Sequence, residues 1–338
     1  MINANFIFGI VCENNGMKRI LLVKTSSLGD VIHNLPVVND ILQHYPNAQI
    51  DWLVEESFAD IPRLHPGVNQ VLTVAIRRWR KQLFKCATWQ QIRALKRTLS
   101  TRKYDVIIDT QGLIKSALIA KLANGIRHGY DTDSIREPWA SRCYQHVYRI
   151  SYQQHAVIRN RTLVAYSLGY TAPTSAPDYG IEASSVPLPV EVNLTAPFVI
   201  GLHGTSRDSK LWDEANWIAL GQQLQMQGVR LVLPWSNPAE QQRAQRIQTQ
   251  LSLATVLPKL SIHQLAGVIS HAQAAIGVDT GLSHLAAALN IPTVAMYTDT
   301  DPTLTGVMAG AHRPAINLGN IHQPPTVAAV LNAYQAII

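Results

Sequence analysis

The stretch Ala274-Ala275-Ile276-Gly277-Val278-Asp279-Thr280-Gly281-Leu282-Ser283-His284 decides the fold. Five small or apolar residues in a row read as a strand covered on both faces, as in a parallel sheet. Asp-Thr-Gly then turns the chain into an apolar helix over 282–289. A helix that starts directly after a strand offers free N–H groups and a positive dipole end, which suits phosphate. Gly281 permits close backbone approach and Thr280 adds a hydroxyl, although Asp279 or Thr280 capping the helix accounts for the pattern equally well.

The same pattern extends in both directions. Toward the C-terminus, strands at 198–202, 229–233, 254–257, 274–278 and 293–297 alternate with helices at 216–227, 239–251, 261–270 and 282–289, and a last helix covers 325–337. Toward the N-terminus, strands at 20–23, 49–54, 70–74 and 104–109 alternate with helices at 30–43, near 58–64, at 89–100 and at 116–123. This predicts an α/β protein of doubly wound parallel sheets with right-handed crossovers. The Pro-, Ser- and Val-rich stretch at 183–197 lacks helical period and reads as a linker. The expected organisation is an extension at 1–16, a Rossmann-like domain at 17–183, a linker at 184–197 and a second Rossmann-like domain at 198–338. The C-terminal helix of the second domain is free to cross back to the first. A chain of 338 residues suits two domains. The extension is read as dispensable, since a clean start follows at Met17-Lys18-Arg19.

Bulk properties narrow the function classes. Cys12, Cys86 and Cys143 are scattered and odd in number, which fits a reducing cytosol better than a disulfide framework. No apolar run reaches the roughly 18 residues needed to span a bilayer. The net charge of +7 is concentrated: residues 61–104 hold no Asp or Glu but eleven Lys and Arg, leaving 18 basic against 22 acidic residues elsewhere. One segment therefore carries the basic character and calls for a local anionic partner.

In open α/β sheets ligands sit at the carboxyl ends of the strands, so the loops after strands carry the candidates. After strand 198–202 comes His203-Gly204-Thr205-Ser206-Arg207-Asp208-Ser209-Lys210. Thr205 and Ser206 can hold a diphosphate, and Lys210 can stabilise the charge on a departing nucleotide diphosphate. Glu240 opens the helix after strand 229–233, where a carboxylate accepts from both ribose hydroxyls in dinucleotide folds or simply complements the helix dipole. In the first half, Lys24-Thr25-Ser26-Ser27-Leu28-Gly29-Asp30 joins strand to helix, and Asp30 is either a general base or a helix cap. Arg77-Arg78-Trp79-Arg80-Lys81 packs four cations into five residues, the forked donors that suit phosphates and carboxylates. Neither a GxGxxG nor a Walker loop is present. Asp131-Thr132-Asp133 and Asp299-Thr300-Asp301 look like paired metal-binding acids, but Asp301 before Pro302 reads as a helix start, and no metal or cofactor is assigned. His155, beside Tyr152, Gln153 and Gln154, reads as a surface histidine.

Taken together, these loops resemble the bacterial lipopolysaccharide heptosyltransferases of glycosyltransferase family 9. The matching features are Val-Lys-Thr-Ser-Ser-Leu-Gly-Asp at 23–30, Ala-Ile-Arg-Arg-Trp-Arg-Lys at 75–81 and Asp-Thr-Gln-Gly-Leu-Ile-Lys-Ser at 109–116. Arg-Glu-Pro at 136–138, Leu-Pro-Trp at 233–235 and Val-Asp-Thr-Gly-Leu-Ser-His at 278–284 complete them. The last motif marks the wider family; the Arg-Arg-Trp-Arg-Lys cluster marks the enzyme that adds the first heptose. The resemblance spans nearly the whole chain from Met17 and implies a GT-B glycosyltransferase, two Rossmann-like domains facing across a cleft, at the cytoplasmic face of the inner membrane. It implies ADP-L-glycero-β-D-manno-heptose as donor, Kdo2-lipid A as acceptor, inversion at the anomeric carbon, no metal for nucleotide recognition, and peripheral contact with an anionic membrane surface.

Carried over, the resemblance makes Asp30 the base and sets Lys210, Thr205, Ser206, Thr280 and Gly281 on the donor phosphates. Glu240 falls on the ribose, Leu260 by the adenine, Asp279 on the heptose, and His284 one helical turn beyond the phosphate loop. Lys24, Ser26, Ser27, Arg77, Arg78, Arg80, Lys81 and Arg136 fall to the acceptor. Ser206 stands where a second Thr is common and Leu260 where a Met occurs; hydroxyl and apolar contact both survive. The rivals are a later core heptosyltransferase, a sugar-nucleotide epimerase, and a nucleic-acid-binding protein suggested by the basic segment. The absence of a recognised nucleic-acid module argues against the last.

Overall fold

The computed structural model describes residues 17–181, 187–190, 192, 194 and 197–338. The expected extension at 1–16 lies outside them, as does part of the expected linker. The described linker residues Leu188, Val192 and Leu194 pack against the main core.

The first sheet is built from β1 (Arg19–Val23), β2 (Gln49–Glu55), β3 (Gln70–Val74), β4 (Lys103–Asp109), β5 (Asn124–Tyr130) and β6 (His146–Tyr148). The second comprises β7 (Phe198–Leu202), β8 (Arg230–Leu233), β9 (Ala254–Val256), β10 (Ala274–Val278), β11 (Thr293–Tyr297) and β12 (Ala315–Gly319). The first is ordered β3-β2-β1-β4-β5-β6 and the second β12-β11-β10-β7-β8-β9. Counted within each domain both orders read 3-2-1-4-5-6, all parallel, the doubly wound Rossmann order. The switch point therefore falls between β1 and β4 in one sheet and between β7 and β10 in the other.

The helices of the first domain are α1 (Leu28–Ile32), α2 (Pro36–His44), α3 (Asp60–Arg63), α4 (Ile76–Lys81), α5 (Cys86–Thr101), α6 (Ile114–Ala120) and α7 (Ala156–Leu168). The second domain has α8 (Glu214–Met226), α9 (Pro238–Gln248), α10 (Ile262–Ser270), α11 (Gly281–Ala288), α12 (Pro302–Thr305) and α13 (Val327–Ile337). The alternating pleat sorts the strand residues between faces. Ile20 and Leu22 of β1 join the core beneath α1, α2 and α7, whereas Leu21 and Val23 join the opposite core with Leu99 of α5.

Several expectations need correction. The single helix expected at 30–43 is two, because Pro36 sets the first turn of α2 and its missing N–H cannot continue α1. β5, β6, β12, α4 and α7 were not anticipated, whereas α12 begins where Asp301 before Pro302 reads as a helix start. α7 docks on α2 through a buried bidentate pair, in which Arg161 Nε and Nη2 donate to Asp40 at 2.7 and 2.9 Å. The C-terminal helix does not cross back. Val330, Ala333, Tyr334 and Ile337 of α13 are buried with Trp217 and Met296, so its apolar face is used up on its own sheet.

The main core runs through both domains without a break, joining Ile32 and Leu35 to Leu265, Ala266 and Leu285. At this seam α1 meets α11 and α3 meets α10. A Cβ on Gly281 would come within 2.6 Å of Leu28, so glycine at the start of α11 is what lets the two helices approach.

Candidate active site

A cavity of about 870 Å³ opens at the carboxyl ends of both sheets and takes its walls from both domains. Of the residues singled out from the sequence, Ser27, Asp30, Arg77, Arg136, Thr205, Ser206, Lys210, Glu240, Leu260, Asp279, Thr280, Gly281 and His284 line it. Lys24, Ser26, Arg78, Arg80 and Lys81 do not.

On the first-domain wall, the loop after β1 is held in place by β4. Gln111 Oε1 accepts from the Thr25 and Ser26 amides, both at 3.0 Å. Asp109 in turn accepts from the Gln111 and Gly112 amides and from the Tyr144 hydroxyl at 2.8 Å. Burial pushes the Asp109 carboxyl above its ordinary range, against those hydrogen bonds. Lys24 is sealed beneath this loop, with its ammonium donating to the Thr110 carbonyl at 2.8 Å. Burial lowers its pKa, while Asp30 and Asp109 oppose the shift. Lys24, expected at the acceptor, is thus buried and does not line the cavity.

Asp30 is the partner in a helix cap, not the cap itself. Ser27 is the N-cap of α1, and Asp30 Oδ2 accepts from both its amide and its hydroxyl at 2.8 Å. That arrangement fixes the carboxylate at the cavity wall and leaves Oδ1 without a protein partner among the described residues. In α4, the buried Glu55 carboxylate accepts from the Ile76 and Arg77 amides. The Arg77 guanidinium lies over Phe58, 5.2 Å from the ring centre, and Arg78 is paired with Glu56.

On the second-domain wall Asp279 is the hub. Its Oδ2 accepts from Lys210 Nζ and Thr300 Oγ1, each at 2.6 Å, and its carbonyl accepts from Thr205 Oγ1 at 2.9 Å. Ser209 donates to Asp299 and Thr298 to the Ser209 carbonyl, which fastens the loop 203–210 to the end of β11. Thr280 is the N-cap of α11 yet its side chain makes no capping bond, so its hydroxyl and the free amides of the first turn remain available. Glu240 Oε2 accepts from the Ser236 amide and hydroxyl at 2.7 Å. A Cβ on Gly204 would lie 2.8 Å from the Glu240 carboxyl carbon, so glycine at this position gives the acid its room. Pro234, Trp235, Leu260, Ile262 and Leu265 continue this wall, Trp235 being pinned through Nε1 to the Leu257 carbonyl at 2.7 Å. Among the described residues no group of three or more His, Cys, Asp or Glu is placed to hold a metal ion. Asp301 caps α12, accepting from the Thr303 amide with Pro302 at the first helical position.

Between the walls lies a histidine seam. His33 Nε2 and His284 Nδ1 are 3.0 Å apart, and His155 stands edge-on to His33 at 5.5 Å. His155 is no surface residue: it caps α7 and its Nε2 meets the Gly306 carbonyl at 2.9 Å. Burial brings His284 down to about 4, reinforced by His155 and Lys210 and opposed by Asp279 and Asp30. His33 lies well below the usual imidazole value, through burial first and then His284, His155 and Lys24.

Residues 92–330 match glycosyltransferase family 9 (heptosyltransferase). The chain belongs to glycosyltransferase family 9. Lipopolysaccharide heptosyltransferase 1 of Salmonella typhimurium is 46% identical over 289 residues, 85% of this chain and 90% of the relative. Among solved structures, E. coli heptosyltransferase WaaC with ADP superposes with a TM-score of 0.87 at 42% identity, covering 94% of this chain and 99% of the other. WaaC with ADP-2-deoxy-2-fluoro heptose gives 0.84 at 41% identity, with the same coverage. The two facing Rossmann-like domains are thus the GT-B arrangement of a family 9 glycosyltransferase.

Within this family 9 cleft, the lining residues given no role beforehand include His33 and Phe58, and Trp235 had entered only as part of the Leu-Pro-Trp motif. His33 had a signal, since it lies three residues after Asp30 on the same helical face. Trp235 follows the end of β8, where the strand-end rule places ligand contacts.

Proposed function

We propose that the protein transfers L-glycero-D-manno-heptose from ADP-L-glycero-β-D-manno-heptose to a Kdo residue of Kdo2-lipid A. The observation that carries the reading is the single cavity in which Asp30 faces the Lys210–Asp279–Thr280 cluster from the opposite domain. The aromatic and aliphatic wall at Trp235 and Leu260 suits adenine, Glu240 the ribose, and Thr205, Ser206, Lys210, Thr280 and Gly281 the diphosphate.

The chemistry is one displacement. Asp30 takes the proton of the acceptor hydroxyl as its oxygen attacks the anomeric carbon from the face opposite the diphosphate. The carbon–oxygen bond to phosphate breaks and its electron pair leaves on ADP. Lys210, released from its pair with Asp279, and the first turn of α11 stabilise that charge. Asp279 then turns to the sugar. The acceptor's phosphates and carboxylates meet Arg77 and Arg136 at the cavity mouth. The basic segment beyond them faces the anionic cytoplasmic surface of the inner membrane. No helix among the described residues is long and apolar enough to cross a membrane.

The test is ADP release from ADP-heptose with Kdo2-lipid A, an already heptosylated acceptor, or no acceptor. Release with Kdo2-lipid A alone is expected. Preference for the heptosylated acceptor would make this a later core transferase, and conversion of the donor to an isomeric ADP-sugar without acceptor would make it an epimerase.

A further inference from the structure

Phe84 is the most exposed large apolar side chain among the described residues, with 104% of its reference surface open, and Leu83 beside it is 48% exposed. Both sit on the turn 82–85 that joins α4 to α5. This turn is fastened in place. Thr88 Oγ1 donates to the Gln82 carbonyl and Trp89 Nε1 to the Leu83 carbonyl, each at 2.8 Å. Trp79 Nε1 donates to Gln91 Oε1 at 2.8 Å and ties the two helices together. Three side-chain hydrogen bonds thus hold two apolar residues out in water, at a place where a polar pair would cost nothing to expose. Trp89, itself 48% exposed, stands at the base of the turn.

The surroundings specify the partner. No acid occurs between residues 61 and 104. Arg80, Lys81 and Lys85 are exposed, and none of them forms an ion pair among the described residues. Scattered exposed apolar side chains are ordinary, but an apolar tip with an indole at its base and unpaired cations around it complements a bilayer with anionic headgroups. The position agrees. α4 follows β3 at the carboxyl end of the first sheet, the end that faces the cavity, and Arg77 at its start lines the cavity wall.

We infer that the turn 82–85 is a membrane wedge: Leu83 and Phe84 enter the headgroup–acyl boundary of an anionic bilayer, Trp89 rests at the interface, and Arg80, Lys81 and Lys85 meet lipid phosphates. The inference rests on the proposed lipid-borne acceptor and goes further by naming the residues that enter the lipid. It also gives α4 a function, since the helix leads from the bilayer to the cavity mouth and presents Arg77 to an acceptor that never leaves the membrane.

The experiment is co-sedimentation of the full chain with vesicles of phosphatidylcholine containing phosphatidylglycerol, and with phosphatidylcholine alone. The wild type is expected to bind the anionic vesicles, less so in high salt. The double variant Leu83→Ser/Phe84→Ser is expected to bind them roughly tenfold more weakly, from the apolar surface removed. Its circular dichroism and its ADP release with a soluble, delipidated acceptor should match the wild type. Phe84→Trp should show a blue-shifted emission increment on adding anionic vesicles. Equal binding by wild type and double variant would overturn the wedge and leave a purely electrostatic contact. Failure of the wild type to bind would overturn the membrane contact as a whole, while the ADP-release assay judges heptosyl transfer separately. A dimer in sedimentation that Phe84→Ser dissolves would overturn it too, making the patch an interface between copies.

Discussion

Lys24 and Lys210 occupy corresponding places in the two domains. Each is the first lysine after the first strand of its sheet, at a switch point with the same 3-2-1-4-5-6 order. Their settings differ. Lys24 is buried under its own loop and spends its ammonium on the Thr110 carbonyl. Lys210 lies on the cavity wall, paired with Asp279. Topology says where ligands gather, and burial decides which residue at that place can meet one. The same contrast separates the two walls: hydroxyls and a cation converge on Asp279 in the second domain, whereas the first offers the cavity one carboxylate, Asp30, positioned by Ser27.

If the first-domain wall serves the acceptor and its proton transfer rather than the donor, Asp30→Asn gives the largest loss. The expected fall in kcat is on the order of 10² to 10⁴, with ADP affinity by calorimetry unchanged. The substitution keeps an acceptor oxygen for Ser27, so α1 should persist. Near-normal turnover in a correctly folded variant would dissolve the division of labour between the walls.

The lysine pair comes next. Lys210→Ala is expected to cost about 10² to 10³ in kcat, as for a donor aimed at developing charge, and to weaken binding of the ADP-sugar. Lys24→Met, which keeps the buried stem, should leave donor binding unchanged and act only on thermal stability. Equal kinetic damage from both would mean that burial does not distinguish their roles.

That contrast also marks how far the sequence could be read. Inner strands such as β1, β4, β7 and β10 are covered on both faces and announce themselves as apolar runs. The edge strands β6 and β12, and β5 beside β6, are partly exposed and carry His146, Asn317 and Arg127, so no such run exists. α7 escaped because its buried face includes Asn160 and Arg161, whose partner Asp40 lies 121 residues away. Among site residues, those in strand-end loops were legible because topology puts ligands there. The burial of Lys24 and the partnership of His33 with His284, 251 residues apart, exist only once the chain has folded.

A smaller effect tests the nucleotide end of the second-domain wall. Hydrogen bonds to a charged group are worth about 1.5 to 3 kcal/mol. Glu240→Gln should therefore lower ADP affinity by roughly ten- to a hundredfold in calorimetry, with little change for adenine alone. Ser236→Ala separates the ligand's share from the internal one, since Ser236 is what Glu240 holds now. Unaltered ADP binding in Glu240→Gln would return the residue to a helix-dipole role.

The smallest effect belongs to the seam where the two walls touch. His284 is brought down to about 4 and His33 well below the usual value, both chiefly by burial. An unfolded chain protonates these rings near pH 6.5, so below that pH the unfolded state holds more protons than the native one. Stability is therefore full above about pH 6.5 and declines as pH falls toward 4, by at most about 1.4 kcal/mol per pH unit for each such ring. His203 and His65, also at about 4 through burial, add the same sign from inside single domains. Urea unfolding at several pH values across that window should give a shallower slope for His33→Leu than for the wild type, with the remainder left by the other rings. An identical slope would mean that His33 does not stay neutral in the folded protein, and that the seam is held by the packing of Leu28 on Gly281 without the histidine pair.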